Sequence, residues 1–351
     1  MAVALRLQMV LLVVLFVLSQ QSFALQSLST FRPTISSSKP SDSVLSNLFP
    51  VAKKKTVSKA EAVQVSNVRM ESYQHDGYTL TYRYKPASNG YQNAPPMLWI
   101  HPVGIGLSSW FWEKMLEIWE GPAVYAPNLI GCGISEGSDR WNPEERDLDF
   151  PLGWVEGCEA LIKQKEIPFL SKPFTVMVQG GLAPVGVLLA SRNPKSVDKL
   201  VLTSPPTWKD MTVPVPQKEL DFNFNFLDSK VLGNLAFSLL ESRGAVEFFS
   251  NQFLFETPCD SQWLDRAQHE ACLEARPPVK AFNAGFCMSE SIEKELLALE
   301  QPTLIIKGTT DKRKRDEYIS QMKNCQLVEL PGQNVLPWES PEQVMEELKK
   351  F

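Results

Sequence analysis

The sequence predicts an α/β fold: one doubly wound, mostly parallel sheet with a helical lid inserted between two of its strands. Three observations predict it. Short apolar runs recur along the chain and stop at proline or glycine, as buried parallel strands do. Stretches with helical spacing separate most of these runs, and strand alternating with helix implies a parallel sheet in one domain. A long interval, residues 207–299, breaks the rhythm and is rich in Phe and Leu at helical spacing.

The elements follow in order. Residues 79–84 alternate with period two after the turn His75-Asp76-Gly77 and read as a half-exposed antiparallel edge strand. Residues 97–100 form a short apolar run suited to a central strand. Residues 124–126 end at Pro127, and residues 176–178 end at the Gly180-Gly181 pair, with a helix expected over 186–192. The run 200–203 ends before Pro205-Pro206. The Phe- and Leu-rich interval comes next, and Phe222, Phe224, Trp263 and Phe286 on its underside are expected to wall an apolar pocket. Residues 303–306 end before Gly308 and residues 326–330 before Pro331-Gly332. The last helix is expected over 341–350, its apolar side carrying Val344, Met345 and Leu348.

Composition narrows the class. With 351 residues, 44% of them hydrophobic and 21% charged, the chain is long enough for one sizeable core. A net charge of -5 without a basic cluster in the body of the chain argues against nucleic acid as a partner. Six cysteines stand far apart, with no C-x-x-C pair and no metal-like spacing with the three histidines, so they read as mostly buried free thiols. Neither a metal nor a cofactor is called for.

The first 60 residues read as an address. Arg6 precedes an apolar run over 9–18, and Ser22 and Ala24 supply small residues before a cleavage point, so residues 1–24 are expected to be a signal peptide. The apolar run is short for a membrane span, and no transmembrane segment is expected in the mature protein. Residues 25–60 are Ser-rich and basic, with Asp42 as the one acid, and resemble an organellar transit peptide. Together the two segments resemble the bipartite address of algae with secondary plastids. The expected location is the plastid (chloroplast), with secretion as the alternative.

Five stations along the rest of the chain share an order. His101-Pro102-Val103-Gly104 follows a buried strand; a loop over 127–135 ends Gly131-Cys132-Gly133-Ile134-Ser135; a strand–turn–helix junction lies at 178–183; Gly308 precedes Asp311; and Pro331-Gly332 opens a loop containing Val335. In this order they resemble the α/β-hydrolase superfamily, of the AB hydrolase-1 type, over about residues 68–351. The resemblance implies that 101–104 is the loop supplying half of an oxyanion hole, that 178–183 is the nucleophile elbow, that Asp311 is the acid station and that Val335 is in line with the histidine. It also implies a pocket lined by His101, Pro102, Val103, Gly104, Cys132, Gly180, Gly181 and Leu182.

The chemistry of that family needs side chains that are missing here. An active elbow reads G-x-S-x-G, whereas the aligned residues are Gln179-Gly180-Gly181-Leu182-Ala183, which places Gly181 at the tip; a shift of one residue places Gly180 or Leu182 there instead. No register restores a nucleophile. Val335 cannot accept a proton. Asp311 is either a retained acid without a histidine to orient or a surface carboxylate beside Lys312, Arg313 and Lys314, and the second carries more weight. Gly133-Ile134-Ser135-Glu136-Gly137 matches the nucleophile motif by letter, but a polar segment follows it where an apolar helix is required, so Ser135 is not read as a nucleophile. Cys132, with His101 as a neighbour, and Ser204 are the remaining substitutes.

Two functions are compatible with these residues. The first is a protein that keeps the pocket but has lost triad hydrolysis, and that holds an apolar carbonyl-containing ligand or a protein partner in a plastid. The second is an enzyme of the same superfamily acting on a small lipid, pigment or ester without the usual triad. Convergence of His101, Cys132 and Asp311 in one crevice would favour the second.

Overall fold

The computed structural model describes residues 67–164 and 173–351. The expected signal and transit segments, residues 1–60, lie outside the described residues. Eight strands form a single sheet in the order β1-β2-β4-β3-β5-β6-β7-β8. The strands are β1 (Arg69–His75), β2 (Tyr78–Lys85), β3 (Met97–Ile100), β4 (Val124–Pro127), β5 (Phe174–Gln179), β6 (Val197–Thr203), β7 (Thr303–Gly308) and β8 (Cys325–Leu330). The β1–β2 and β2–β4 pairs are antiparallel, and every other pair is parallel.

One strand changes place relative to the sequence reading. The alternating run is β2, and it is not the edge, because β1 pairs along its whole length and takes the outer position. β1 carries one fully buried apolar residue, Tyr73, among Arg69, Glu71, Ser72, Gln74 and His75, so it shows no apolar period. The two strands are joined through Asp76 (φ 51) and Gly77 (φ 84), both left-handed, as a tight two-residue hairpin requires.

Alternation on the central strands builds two cores. Leu98 and Ile100 of β3 join Val176 and Val178 of β5 on one face, with α2 (Leu152–Ile162) and α3 (Ala183–Arg192), labelled after α1 (Glu113–Ile118). Met97, Trp99 and Met177 point to the other face, where they meet Trp112, Met115 and Leu116. Strands buried on both faces read as continuous apolar runs, which is why β3 was legible at only four residues.

Between β6 and β7 lie helices α4 (Trp208–Thr212), α5 (Gln217–Asp228), α6 (Leu232–Leu240), α7 (Arg243–Phe253), α8 (Ser261–Glu270), α9 (Arg276–Ala284) and α10 (Glu293–Ala298). Thr207 starts the series with a capping box: its hydroxyl accepts from the Asp210 N–H, and the Asp210 carboxylate accepts from the Thr207 N–H. The inserted helices are docked on the sheet domain by tryptophan. Trp263 of α8 meets Trp110 and Trp338 edge-on at 5.2 and 5.4 Å, and its indole N–H donates to Ser250 Oγ at 2.9 Å. After β7 follow α11 (Asp316–Gln321), α12 (Leu336–Glu339) and α13 (Pro341–Lys350). Among the described residues no helix is long and apolar enough to cross a membrane.

Candidate functional site

Loops leaving the carboxyl ends of β3, β5, β6, β7 and β8 converge on a cavity of about 420 Å³, which the inserted helices cover. Ligands of open α/β sheets bind at this edge, because the loops there are free to vary above a rigid floor. The cavity is lined mainly by apolar groups, among them Leu227, Phe237, Val246, Trp263 and Phe282 from the inserted helices.

The turn after β5 is the centre of the site. β5 stops at Gln179 and α3 begins at Ala183, so three residues carry the chain from strand to helix. Gly180 is left-handed, with φ +65, and a Cβ placed on it would meet nothing within 4 Å. A Cβ on Gly181 would instead lie 2.4 Å from Phe282 Cζ. An elbow holds its nucleophile on the strained residue so that the side chain stands clear of the sheet. The tip is therefore Gly180, which corrects the sequence assignment of Gly181 by one position. The Phe282 ring of α9 covers Gly181. Both positions lack a side chain.

Opposite the turn, Val335 lines the cavity at the start of α12 and is 2% exposed. Its neighbour Asn334 is tied back to the turn. Gln179 Nε2 donates to the Asn334 carbonyl at 2.9 Å, and Gln179 Oε1 accepts from Thr203 Oγ1 at 2.6 Å. Gln179 thus joins the ends of β5 and β6 to the loop after β8, a bridge that no sequence pattern marked.

Three expected pocket residues do not line the cavity. His101 is fully buried: its Nδ1–H donates to the Pro102 carbonyl at 2.8 Å, and its Nε2 accepts from the Leu129 N–H at 3.1 Å. Burial lowers its pKa to about 4, against a partial rise from the Pro102 bond, so the ring is neutral and fastens two loops. Cys132 is buried away from the cavity; burial, and then the Glu270 charge, push its thiol far up, which removes it as a nucleophile. Leu182 is buried in the core beneath α3. Pro102, Val103 and Gly104 do line the cavity. Pro102 has no N–H to offer, and the Val103 N–H has no backbone acceptor among the described residues.

Asp311 is 7% exposed and is not a surface carboxylate. Arg313 grips both its oxygens through Nε and Nη2, each at 3.0 Å, and Arg315 Nη1 lies 2.9 Å from Oδ2. Burial raises the Asp311 pKa, but the Arg313 hydrogen bonds and the two guanidinium charges outweigh it and hold the carboxyl below its usual range. His101, Cys132 and Asp311 do not converge. The group that reaches the cavity from this loop is Arg313, which the sequence had shown only as part of a basic run.

The expected walls also shift. Phe222 is 65% exposed and points away, while Phe224 and Phe286 pack on each other edge-on at 5.5 Å outside the lining. Trp263 holds its expected place. Ser135 lies outside the lining too; it sits on a 3-10 turn between left-handed Gly133 and Gly137, its hydroxyl donating to Glu270. Ser204, at the end of β6, is left-handed (φ 46) and 1% exposed, lines the cavity, and its hydroxyl has no hydrogen-bond partner among the described residues. The six cysteines are free thiols, Cys132, Cys158 and Cys287 fully buried and the other three half-buried.

No family model matches the sequence, and no curated protein matches it. Solved structures do. The chain superposes on a candidate lipase from Acinetobacter baumannii AYE with a TM-score of 0.62 at 16% identity, over 91% of this chain and 97% of the other. A membrane phospholipase A described as a bacterial virulence factor gives a TM-score of 0.60 at 18% identity, over 82% and 86%. A haloalkane dehalogenase loop variant from Bradyrhizobium elkanii gives 0.59 at 18% identity, over 81% and 96%. At such identities what is shared is the fold.

Proposed function

The chain has the α/β-hydrolase fold, and from that premise we propose that it is a non-hydrolytic member of that architecture, which holds an apolar carbonyl-containing ligand beneath its lid. One observation carries this reading. The turn that would present a nucleophile has Gly180 at its tip, Gly181 beside it under the Phe282 ring, and Val335 facing the same cavity, so the positions at which the fold would carry its nucleophile and its base hold no side chain able to attack or to take a proton. What remains is a mainly apolar chamber with a few polar groups in its lining, the common form of a small-molecule site.

The test is covalent. Incubated with a fluorophosphonate probe and generic aryl esters, the protein is expected to take up no label and to turn over no ester. Labelling of any serine, or turnover abolished by one point substitution, refutes the proposal. Extraction of the protein from its native source with organic solvent is expected to release a lipid or pigment. The expected compartment is the plastid, supported by the composition of residues 1–60, and a fluorescent fusion of those residues found outside plastids would remove it.

A further inference from the structure

We infer that the occupant of this cavity is an anion, an apolar chain ending in a carboxylate, bound by Arg313 and Ser204; the inference rests on the binding role proposed above and narrows it from any carbonyl compound to an acid. The first observation is the way Arg313 is held. Asp311 takes its Nε and Nη2, and Arg313 lines the cavity with Nη1 carrying no protein partner among the described residues. A bidentate carboxylate beneath an arginine fixes the plane of the fork, so the remaining N–H groups are aimed in advance.

The cluster of Asp311, Arg313 and Arg315 is not balanced within itself. Asp311 is one carboxylate between two arginines, and Arg315, fully buried, spends its donors on Asp311, on the Arg313 carbonyl and on the Pro205 carbonyl at 2.9 and 2.7 Å. The cluster keeps one positive charge, and Arg313 is its exposed end. Asp210 also lines the cavity, but its carboxylate accepts from the Thr207 N–H and hydroxyl at 3.0 and 2.7 Å and serves its own helix. One uncommitted fork beside an acid suits a singly charged head group better than a phosphate.

The second observation is independent. Ser204, which lines the cavity, is left-handed at the end of β6, its N–H donates to the Ile306 carbonyl at 2.7 Å, and its buried hydroxyl has no partner among the described residues. A buried polar group without a partner costs free energy, and a ligand oxygen would remove that cost. Arg315 bonds the Pro205 carbonyl, so the Ser204 segment and the Arg313 segment are fastened side by side. Arg313 and Ser204 thus lie on neighbouring segments of a mainly apolar lining, the combination that an acid with a hydrocarbon tail requires.

The test uses the full chain and three probes with one tail: myristic acid, methyl myristate and myristyl alcohol, each measured by calorimetry at neutral pH. The acid is expected to bind at least about tenfold more tightly than the ester or the alcohol, a difference of about 1.4 kcal/mol. Arg313→Gln should erase that preference and leave the ester within about twofold of its original affinity, and Ser204→Ala should weaken the acid alone by several-fold. Equal binding of acid and ester, or an acid affinity unmoved in both variants, overturns the inference while the ligand pocket stands. Binding of none of the three overturns both. If Arg313→Gln fails to fold, Arg313→Lys and Ser204→Ala decide the matter: Arg313→Lys keeps the charge but loses the fork and should narrow the preference for the acid, and an acid affinity unmoved in both overturns the inference.

Discussion

Two adjacent glycines occupy the turn after β5, and they differ in what surrounds them. Gly180 takes a left-handed backbone with open space where a side chain would be, whereas Gly181 has an ordinary backbone with the Phe282 ring against it. The costs of a methyl group at each should therefore have different origins. Gly180→Ala should cost about 1–2 kcal/mol from backbone strain alone. Gly181→Ala should cost about 1–3 kcal/mol through overpacking against Phe282. A double-mutant cycle with Phe282→Ala separates them, because only residues in contact couple. Chemical denaturation is expected to give a coupling near zero for the 180/282 pair and about 1 kcal/mol or more for 181/282; equal coupling in both pairs would rule out a ring packed on Gly181 alone. The distinction also bears on chemistry, since a serine placed at Gly180 would point into the cavity but would still face Val335, which accepts no proton.

At the scale of elements, the inserted helices are fixed to the sheet domain chiefly through α8. Trp263 packs into the Trp110 and Trp338 cluster, and Arg266 makes a bidentate pair with buried Glu113 of α1 at 2.9 and 2.6 Å. α5 and α6 leave Phe222, Val231, Leu232 and Leu235 exposed. Trp263→Ala removes a ring that is 1% exposed and should cost about 3–5 kcal/mol, read as a fall in the denaturation midpoint together with faster amide exchange in α5 to α9. An unchanged exchange pattern would mean that the insert is held elsewhere. Why some elements were legible and others were not follows from what each buries. β3, β5 and β7 are apolar on both faces and stop at glycine or proline, so sequence alone locates them. β1 buries little besides Tyr73 and gives no period, so the sequence places β2 at the edge. The site divides in the same way. Missing side chains at Gly180, Gly181 and Val335 are visible in a sequence, while the contacts of Phe282, Gln179 and Arg313 join residues more than a hundred positions apart or depend on which way a charged loop turns.

Over the whole molecule, two buried groups make the stability depend on pH with opposite signs. Burial lowers the His101 pKa from 6.5 to about 4, so the unfolded chain binds the extra proton between those values and stability falls as the pH drops through that window. Burial, and then the nearby Glu136 charge, raise the Glu270 pKa from 4.5 to about 7 against smaller opposing effects from Ser135 and Arg83. Here the folded chain binds the extra proton, so stability falls as the pH rises from about 4.5 to 7. In the overlap, from 4.5 to 6.5, the two slopes offset each other. Removing one should therefore expose the other. Glu270→Gln keeps a hydrogen-bonding group beside Ser135 but cannot ionise, and it should gain on the unsubstituted protein by up to about 1.4 kcal/mol per pH unit as the pH climbs through that window. Denaturation midpoints of both proteins across the window decide it. Curves that run parallel would mean that Glu270 titrates as an ordinary carboxylate; curves that diverge upward with pH place its buried proton at the contact between α8 and the Ser135 turn, which joins the inserted helices to the sheet domain.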